Sequence, residues 1–350
     1  MRIAFLQGRQ GYQNHPHEPA PAPLPLRWPP EHPRRTTVDG FIDVHHHVPS
    51  AEIAEAATQV GIPMAGAWTP ETAMVAMDAS GIAAAVLTPT IFVADVGDPE
   101  AAVPLHRATN DYLAGVAKRW PHRFGAFATL PLVDPAAAAN ELGRAYDELG
   151  MDGVLLPSGV GPDLIGAERF DSVLAAMNDR SAVIHLHPTK SHLGIPNLSP
   201  AVVDFPVETT RAIGSLLASG ALERYGNLTW IIAHGGGCFP YIAGRVARSD
   251  GAEPFTTTAP EGTLAYLRRM YFDVAVTCHP NAFPSLRTVT DTDHIVFGTD
   301  YPAFSQEDVD EAIAFLVNKA GFTADELDAI GSRNIKPLFP RLTADMEAAG

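Results

Sequence analysis

Eight short apolar runs, separated by longer stretches of helical periodicity, constrain the fold of this chain more than any other feature of its sequence. The runs are rich in Val, Ile and Phe and the intervening segments in Ala, a pattern typical of repeated strand–helix units with parallel strands. The runs are 41–47, 82–89, 124–130, 153–157, 182–187, 228–234, 270–276 and 294–300. Helices are expected at 71–80, 100–119, 135–149, 170–179, 210–224, 239–248 and 280–288, and again after Ser305 and after Thr323. Eight such units predict a closed (β/α)8 barrel, the TIM-barrel fold, within residues 38–350.

An open, doubly wound sheet is the alternative architecture. It would normally carry a glycine-rich phosphate loop after its first strand, whereas the first run here ends in three histidines at 45–47. Residues 13–36 contain eight prolines, which fix the backbone and remove amide donors, so residues 1–37 are predicted to form a proline-rich N-terminal arm outside the barrel. An unstructured leader and an arm that wraps a neighbouring subunit fit this composition equally well.

The charge balance narrows the classes of partner. Forty acidic and 24 basic side chains give a formal net charge of −16, which repels phosphate backbones and anionic membrane surfaces, so neither nucleic acid nor a membrane is an expected partner. The first ten residues lack the long apolar stretch of a secretory signal, and a cytoplasmic location is therefore expected. Two cysteines are too few for a disulfide framework or a thiolate zinc site.

Six of the 14 histidines lie where barrel enzymes carry their chemistry, at the carboxyl ends of the strands. Strand alternation places His45 and His47 on one face of the first strand and directs His46 toward the helical layer. His185 and His187 also share a face, and we favour His187 as a ligand because it lies nearer the strand end. The sixth strand ends in His234 and the eighth in Asp300. Imidazoles and a carboxylate at these four strand ends predict a divalent metal site.

Three further residues are candidates for binding substrate. Arg245 lies 11 residues after His234, about three turns along the chain and within the helix expected over 239–248, and a guanidinium suits bidentate binding of a carboxylate. Trp68 and Phe92 fall in the loops after the first and second strands, where they could stack on an aromatic ring or pack into the loop cores. The fourth strand ends without a lysine that could bridge two ions, so a single metal ion is expected.

Four segments carry a resemblance to a known family: IDVHHHVP (42–49), HLHPT (185–189), HGGGCFPYIAGR (234–245) and FGTDYP (297–302). The chain resembles the amidohydrolase superfamily over residues 38–340. Within that superfamily it is similar to the metal-dependent, non-oxidative decarboxylases related to aminocarboxymuconate-semialdehyde decarboxylase, and most similar to the sub-branch that contains 6-methylsalicylate decarboxylase.

The resemblance implies a role for each candidate. It implies that one Zn²⁺ or Mn²⁺ ion per chain is bound by His45, His47, His187 and Asp300. It further implies that His234 is the catalytic acid or base, that Asp300 can also carry the proton, and that Arg245 grips the substrate carboxylate. Because the equivalent arginine of some relatives reaches a neighbouring subunit, a homodimer or higher homo-oligomer is expected. The muconate-semialdehyde enzyme uses a further arginine after its first strand, whereas residues 48–80 of this chain contain no arginine or lysine. This departure from the family pattern favours a monoacid such as a 2-hydroxybenzoate over a dicarboxylate.

Three functions are compatible with these sequence features to different degrees. The favoured one is decarboxylation of a small aromatic or related unsaturated carboxylic acid. A hydrolase that uses the same ion to activate water against an amide, ester or lactone is the rival, because nothing in the ligand set excludes it. A non-catalytic barrel is the weakest reading, since every expected polar position is filled.

Overall fold

The computed structural model describes residues 40–90, 97–189 and 194–350. Its strands are β1 Phe41–His47, β2 Ile82–Thr88, β3 Phe124–Ala128, β4 Gly153–Pro157, β5 Gly159–Val160, β6 Asp163–Leu164, β7 Val183–His187, β8 Thr229–Ile232, β9 Tyr271–Asp273 and β10 Ile295–Val296. Its α-helices are α1 Ala51–Gln59, α2 Pro70–Ala79, α3 Pro99–Arg119, α4 Pro135–Asp147, α5 Asp171–Asn178, α6 Asp204–Ser219, α7 Ala221–Arg224, α8 Phe239–Val246, α9 Phe255–Thr258, α10 Thr263–Leu267, α11 Ala282–Leu286, α12 Gln306–Asn318, α13 Ala324–Asp328 and α14 Pro340–Ala349.

Eight of the strands form one parallel sheet in the order β1-β2-β3-β4-β7-β8-β9-β10. Backbone hydrogen bonds from β1 to the segment around β10 close this sheet on itself: the amide of Val44 donates to Phe297, that of Asp300 to His45 and that of His47 to Tyr301. The predicted (β/α)8 barrel is therefore confirmed. The antiparallel pair β5 and β6 is a small hairpin added after β4.

Strand alternation divides the buried apolar side chains into two clusters. One fills the space between strands and helices, and the other fills the barrel interior with residues such as Val86, Phe127 and Ile231. The C-terminal segment contributes Ile335, Phe339 and Leu342 to the interior cluster. Because α14 contacts β3, this segment fills the end of the barrel at which the strands begin.

Helix starts follow the capping chemistry of the sequence. The Asp134 side chain accepts amide hydrogen bonds at the start of α4, and Pro135 occupies the first helical position, where no amide donor is needed. Ser305 with Asp308 and Thr323 with Glu326 form capping boxes at the starts of α12 and α13. No described helix is long and apolar enough to cross a membrane.

The structure differs from the expected elements in several places, among them the hairpin β5–β6 and the short helices α9 and α10, which were not expected. Helix α1 was not expected, although Ser50 caps it by accepting the amide of Ile53. The helix expected over 210–224 begins earlier, at Asp204, and is interrupted at Gly220, whose φ of 75° is left-handed. The last two barrel strands span three and two residues instead of the seven of their apolar runs. The proline-rich arm lies outside the described residues.

Candidate metal centre at the mouth of the barrel

Four side chains at the carboxyl ends of the strands converge on one point. They are His45, His47, His187 and Asp300, all buried, and one ligand atom from each lies within 4.8 Å of the others. His45 Nε2 is 3.1 Å from His47 Nε2, and Asp300 Oδ1 is 2.9 Å from His47 Nε2 and 3.5 Å from His45 Nε2. A cation about 2.1 Å from each ligand atom separates adjacent ligands by roughly 3 Å, so these spacings suit one ion.

A bulge in β1 aims the two histidines of that strand. The pairing of β1 with β2 shifts between Asp43 and His46, where β1 has one residue more than its partner. The shift changes the parity of the strand: Val44 belongs to the interior cluster, and the next residue, His45, also turns inward to meet the rings of His47 and His187. Bulges at barrel rims commonly redirect a side chain in this way.

The outer face of β1 is polar as well. Here the Asp43 carboxylate contacts His46 Nδ1 at 3.2 Å and accepts the backbone amides of His45 and Thr299. His46 therefore points to the helical layer, as alternation predicts. Its Nε2 accepts the indole N–H of Trp68 at 3.2 Å.

His187 is held by its own strand end. Its Nδ1 donates to the carbonyl of Pro188 at 2.7 Å, which leaves the opposite ring nitrogen as the atom that faces the cluster. The neighbouring residue in β7 with the same orientation, His185, lies one layer deeper. It stacks on Phe127 with ring centroids 5.2 Å apart and donates from Nε2 toward Asp273.

Asp300 and the neighbouring His234 have left-handed backbones. His234 has φ 55° and Asp300 has φ 63°, conformations that cost non-glycine residues energy and concentrate at functional sites. His234 Nε2 lies 3.5 Å from Asp300 Oδ2, and His234 Nδ1 is buried without a hydrogen-bond partner among the described residues. Gly237, just after His234, also has a positive φ, and a side chain there would collide with the carbonyl of Pro206.

Burial and neighbouring charges set the protonation of the cluster. Burial lowers the pKa of His47, which Asp300 only partly offsets, and burial with the adjacent histidines lowers the pKa of His187 well below its usual value. Burial would lower the pKa of His45, but the carboxylates of Asp273, Asp300 and Asp43 together outweigh burial and raise the pKa of that ring. Burial would raise the pKa of Asp300, yet hydrogen bonds from His234 and His47 hold it well below its usual value. An ionised carboxylate facing mostly neutral imidazoles is a donor set for a cation.

One central residue of the site, Asp273, was not identified from the sequence. Asp273, the last residue of β9, is completely buried and accepts His45 Nδ1–H at 2.9 Å on the side of that ring opposite the cluster. The signal was present, because Asp273 is the single charged residue in the apolar run 270–276. A buried strand rarely carries an unpaired carboxylate.

The structure does not bring Trp68 or Arg245, two of the three candidate substrate residues, to the cluster. Trp68 is buried against Phe124 and His46 in the layer between strands and helices, so its ring is occupied by core contacts. Arg245 is exposed on α8 and has no ion-pair or hydrogen-bond partner in the described part of the chain. Phe92 lies outside the described residues.

The closed barrel, with polar side chains gathered at the carboxyl ends of its strands, defines the class of (β/α)8-barrel enzymes. Within this class, residues 42–341 match the family model described as amidohydrolase, and the chain belongs to that family.

Named relatives place the chain among the decarboxylases of this family. It is 31% identical over 324 residues to decarboxylase yanB of Aspergillus niger, covering 86% of this chain and 87% of the relative. It is 30% identical over 322 residues to the 6-methylsalicylic acid decarboxylase acuB of Aspergillus aculeatus, covering 86% and 96%. The barrel matches the crystal structure of dihydroxybenzoic acid decarboxylase from Polaromonas sp. JS666, solved with manganese and 2-nitroresorcinol, with a TM-score of 0.72 and 22% identity over 86% of this chain and 97% of that one. The chain is thus a decarboxylase of the amidohydrolase family.

Proposed function

We propose that this protein is a metal-dependent, non-oxidative decarboxylase of a small aromatic carboxylic acid of the 2-hydroxybenzoate type, or of a related unsaturated acid. The observation that carries the proposal is the convergence of His45, His47, His187 and Asp300 beside His234 at the barrel mouth. The names of the relatives support it, since the curated match from Aspergillus aculeatus acts on 6-methylsalicylic acid.

The proposed cofactor is one Zn²⁺ or Mn²⁺ ion per chain. His45, His47, His187 and Asp300 would hold it, and the observed 2.9–3.5 Å spacing of three of their ligand atoms suits an ion of this size. Three imidazoles with one carboxylate are typical ligands of such borderline metals. The bound ion would supply a Lewis acid that stabilises negative charge on the substrate oxygens. Manganese in the Polaromonas structure supports the class of ion without choosing between the two metals.

The side chains of this protein have the task of handling one proton. When the bond between the ring carbon and the carboxyl carbon breaks, carbon dioxide leaves, the electron pair stays on the ring carbon, and that carbon takes up a proton. His234 Nε2 and Asp300 Oδ2, 3.5 Å apart, are the groups placed to hold this proton. Protonation before loss of carbon dioxide, and activation of a water by His234 as general base, are both compatible with this arrangement.

Arg245 is proposed to bind the substrate carboxylate across a subunit interface. Within one chain it is exposed and unpaired among the described residues, and Tyr241, one turn before it on α8, is 84% exposed. An exposed aromatic ring beside an unpaired arginine suits a contact with another chain, because both residue types are enriched in interfaces. A homodimer or higher homo-oligomer with a shared site follows. The proline-rich arm at 1–37 and the cytoplasmic location stay predictions from the sequence.

The test of the function is a panel of hydroxybenzoates monitored for carbon dioxide release, with simple esters and lactones as the competing substrates. We expect decarboxylation of at least one 2-hydroxybenzoate, its loss on removal of the metal, and about one metal ion per chain in the active protein. Hydrolysis without decarboxylation, or full activity in metal-free protein, would contradict the proposal.

The shared site has its own test. Arg245→Ala should raise KM while leaving metal content unchanged. Arg248→Ala, which removes another exposed arginine just beyond the same helix, should change neither KM nor metal content. At a substrate concentration well below the raised KM, mixing Arg245→Ala subunits with inactive His234→Ala subunits should restore activity if the arginine serves the neighbouring site. Activity that is not restored in mixed oligomers would place Arg245 in its own subunit's chemistry.

A further inference from the structure

The carboxylate of Asp273 has every hydrogen-bonding position occupied. Oδ2 accepts His45 Nδ1–H at 2.9 Å and His185 Nε2–H at 3.1 Å, and Oδ1 accepts the backbone amides of His234 at 2.8 Å and Ala275 at 3.1 Å. An ionised carboxylate offers about four lone-pair sites, so four donors saturate it. A neutral acid would have to donate from one oxygen and could not accept all four hydrogen bonds.

The bond to His45 determines how that ring meets the cluster. A neutral imidazole carries one N–H, and Asp273 draws it to Nδ1. The lone pair of His45 then lies on Nε2, the atom that is 3.1 Å from His47 Nε2 and 3.5 Å from Asp300 Oδ1. Asp273 thereby fixes both the rotation of the ring and the tautomer that can bind a cation.

The same carboxylate reaches a second functional segment. Oδ1 accepts the amide of His234, whose left-handed φ of 55° must be maintained by its surroundings. One side chain thus connects the ring of His45 to the backbone that presents His234, and the two rings lie with their centroids 5.0 Å apart. His185, stacked on Phe127, supports the carboxylate from below.

A second metal ion is the competing explanation, because His45, His185 and Asp273 also offer ligand atoms within 4.8 Å of one another. Hydrogen bonds account for this group more completely, since the two rings and the two backbone amides already fill the four acceptor positions of Asp273 and leave no lone pair for an ion. An ion there would also need a lone pair on His45 Nδ1, the nitrogen whose N–H Asp273 accepts. The group is therefore a hydrogen-bonded support of the first site.

We propose that Asp273 is the positioning residue of the metal centre, which orients His45 through Nδ1 and the His234 segment through its backbone amide, with His185 as its support. This inference rests on the proposed metal-dependent function. Acceptors behind metal-bound histidines typically contribute about 10–100-fold to metal affinity or activity, and an effect of that size is expected here.

The experiment compares metal-free wild type, Asp273→Asn and Asp273→Ala in a Zn²⁺ competition titration with a chromophoric chelator. Asn retains the volume but replaces an acceptor oxygen with an N–H₂ group, so we expect about 10–100-fold weaker Zn²⁺ binding in both variants. The matched control is Glu141→Gln, which removes a buried carboxylate of α4 that pairs with Arg144 and Asn110. Glu141→Gln should lower the melting temperature while leaving Zn²⁺ affinity at the wild-type value.

A second measurement needs no variant to fold. In Zn²⁺-loaded wild type labelled with ¹⁵N-histidine, His45 should show a protonated Nδ1 and a coordinated Nε2. The opposite tautomer, or folded Asp273 variants that bind Zn²⁺ as tightly as wild type, would overturn the inference. Wild type that binds no Zn²⁺ or Mn²⁺ at all would instead contradict the proposed function, so the two failures are distinguishable.

Discussion

At the scale of single residues, Gly298 separates the first strand from the positioning carboxylate. A Cβ atom at this position would lie 3.0 Å from His45 Cβ and 3.2 Å from Asp273 Cβ, closer than ordinary packing permits. Gly298→Ala should therefore cost about 1–3 kcal/mol of unfolding free energy, because the core must shift to admit a methyl group. The displaced His45 should also weaken metal binding, and both effects can be measured by denaturant unfolding and chelator competition.

A matched glycine offers the control for that substitution. Gly115 lies inside α3 with no atom within 4 Å of its ideal Cβ position. Gly115→Ala should raise the unfolding free energy by about 0.5–1 kcal/mol through helix propensity alone. A Gly298→Ala protein with wild-type stability and metal affinity would show that β1 and β9 tolerate a wider separation than the structure has.

Trp68 is expected to act through the core and not through substrate. Its indole N–H donates to His46 Nε2 at 3.2 Å, and Trp68→Phe removes that donor while keeping an aromatic ring. The unfilled acceptor on buried His46 should cost about 1–3 kcal/mol of stability. KM for the substrate should not change. An increase in KM at unchanged stability would instead support the stacking role considered from the sequence.

At the scale of elements, the sequence was sufficient to predict the barrel and the order of its polar strand ends. Period-two alternation correctly predicted that His45 and His47 share one face and that His46 lies on the other. It holds for these three residues because the bulge in β1 changes the face before His45, and alternation is regular from His45 to His47. The same alternation would have put Asp43 on the inner face with His45, whereas the bulge leaves it outside with His46 and Thr299. A bulge inserts one residue without any marked change in composition, so apolar periodicity does not reveal it.

The ends of the last two strands and the role of Asp273 could not be predicted from the sequence pattern. The run 294–300 looks continuous, yet β10 ends at Val296 and the chain then turns through the left-handed Asp300. The role of Asp273 follows from its contacts with His45, His185 and His234, and these residues come from three distant parts of the sequence. Contacts across such separations are set by barrel closure, which local patterns do not encode.

The C-terminal segment acts as the floor of the barrel and should be important for its stability. Phe339 is fully buried and packs on Phe127, with ring centroids 5.6 Å apart, and Phe127 in turn stacks on His185. Phe339→Ala should cost about 3–5 kcal/mol of unfolding free energy, because it opens a cavity under the site. Val75→Ala, at a side chain that is 71% exposed, is the control and should change little. Near-equal stability of the two variants would mean that α14 contributes little to the barrel core.

At the scale of the whole molecule, the proposed ion should couple the two halves of the barrel. Its ligands come from β1, β7 and the segment after β10, so an ion that binds only the folded state stabilises all of them together. At free metal about 100 times its dissociation constant, this linkage adds about 2.7 kcal/mol to the unfolding free energy. A chelator should therefore lower the melting temperature of wild type.

The same titration has an internal control. His187→Asn removes one ligand, so its melting temperature should respond little to chelator or to added Zn²⁺. A wild-type melting temperature that does not depend on metal concentration would argue against occupancy of the His45, His47, His187 and Asp300 cluster.

The C-terminal segment that fills the floor of the barrel also affects the route by which ligands enter and leave. Ile335, Phe339 and Leu342 fill the end at which the strands begin, so a ligand at the cluster would exchange with solvent through the opposite end of the barrel. Under the proposed function, substrate, carbon dioxide and the decarboxylated product would pass the same opening in turn. A product molecule that stays there occupies the path of the next substrate molecule, so we expect competitive product inhibition as a consequence of how Ile335, Phe339 and Leu342 pack.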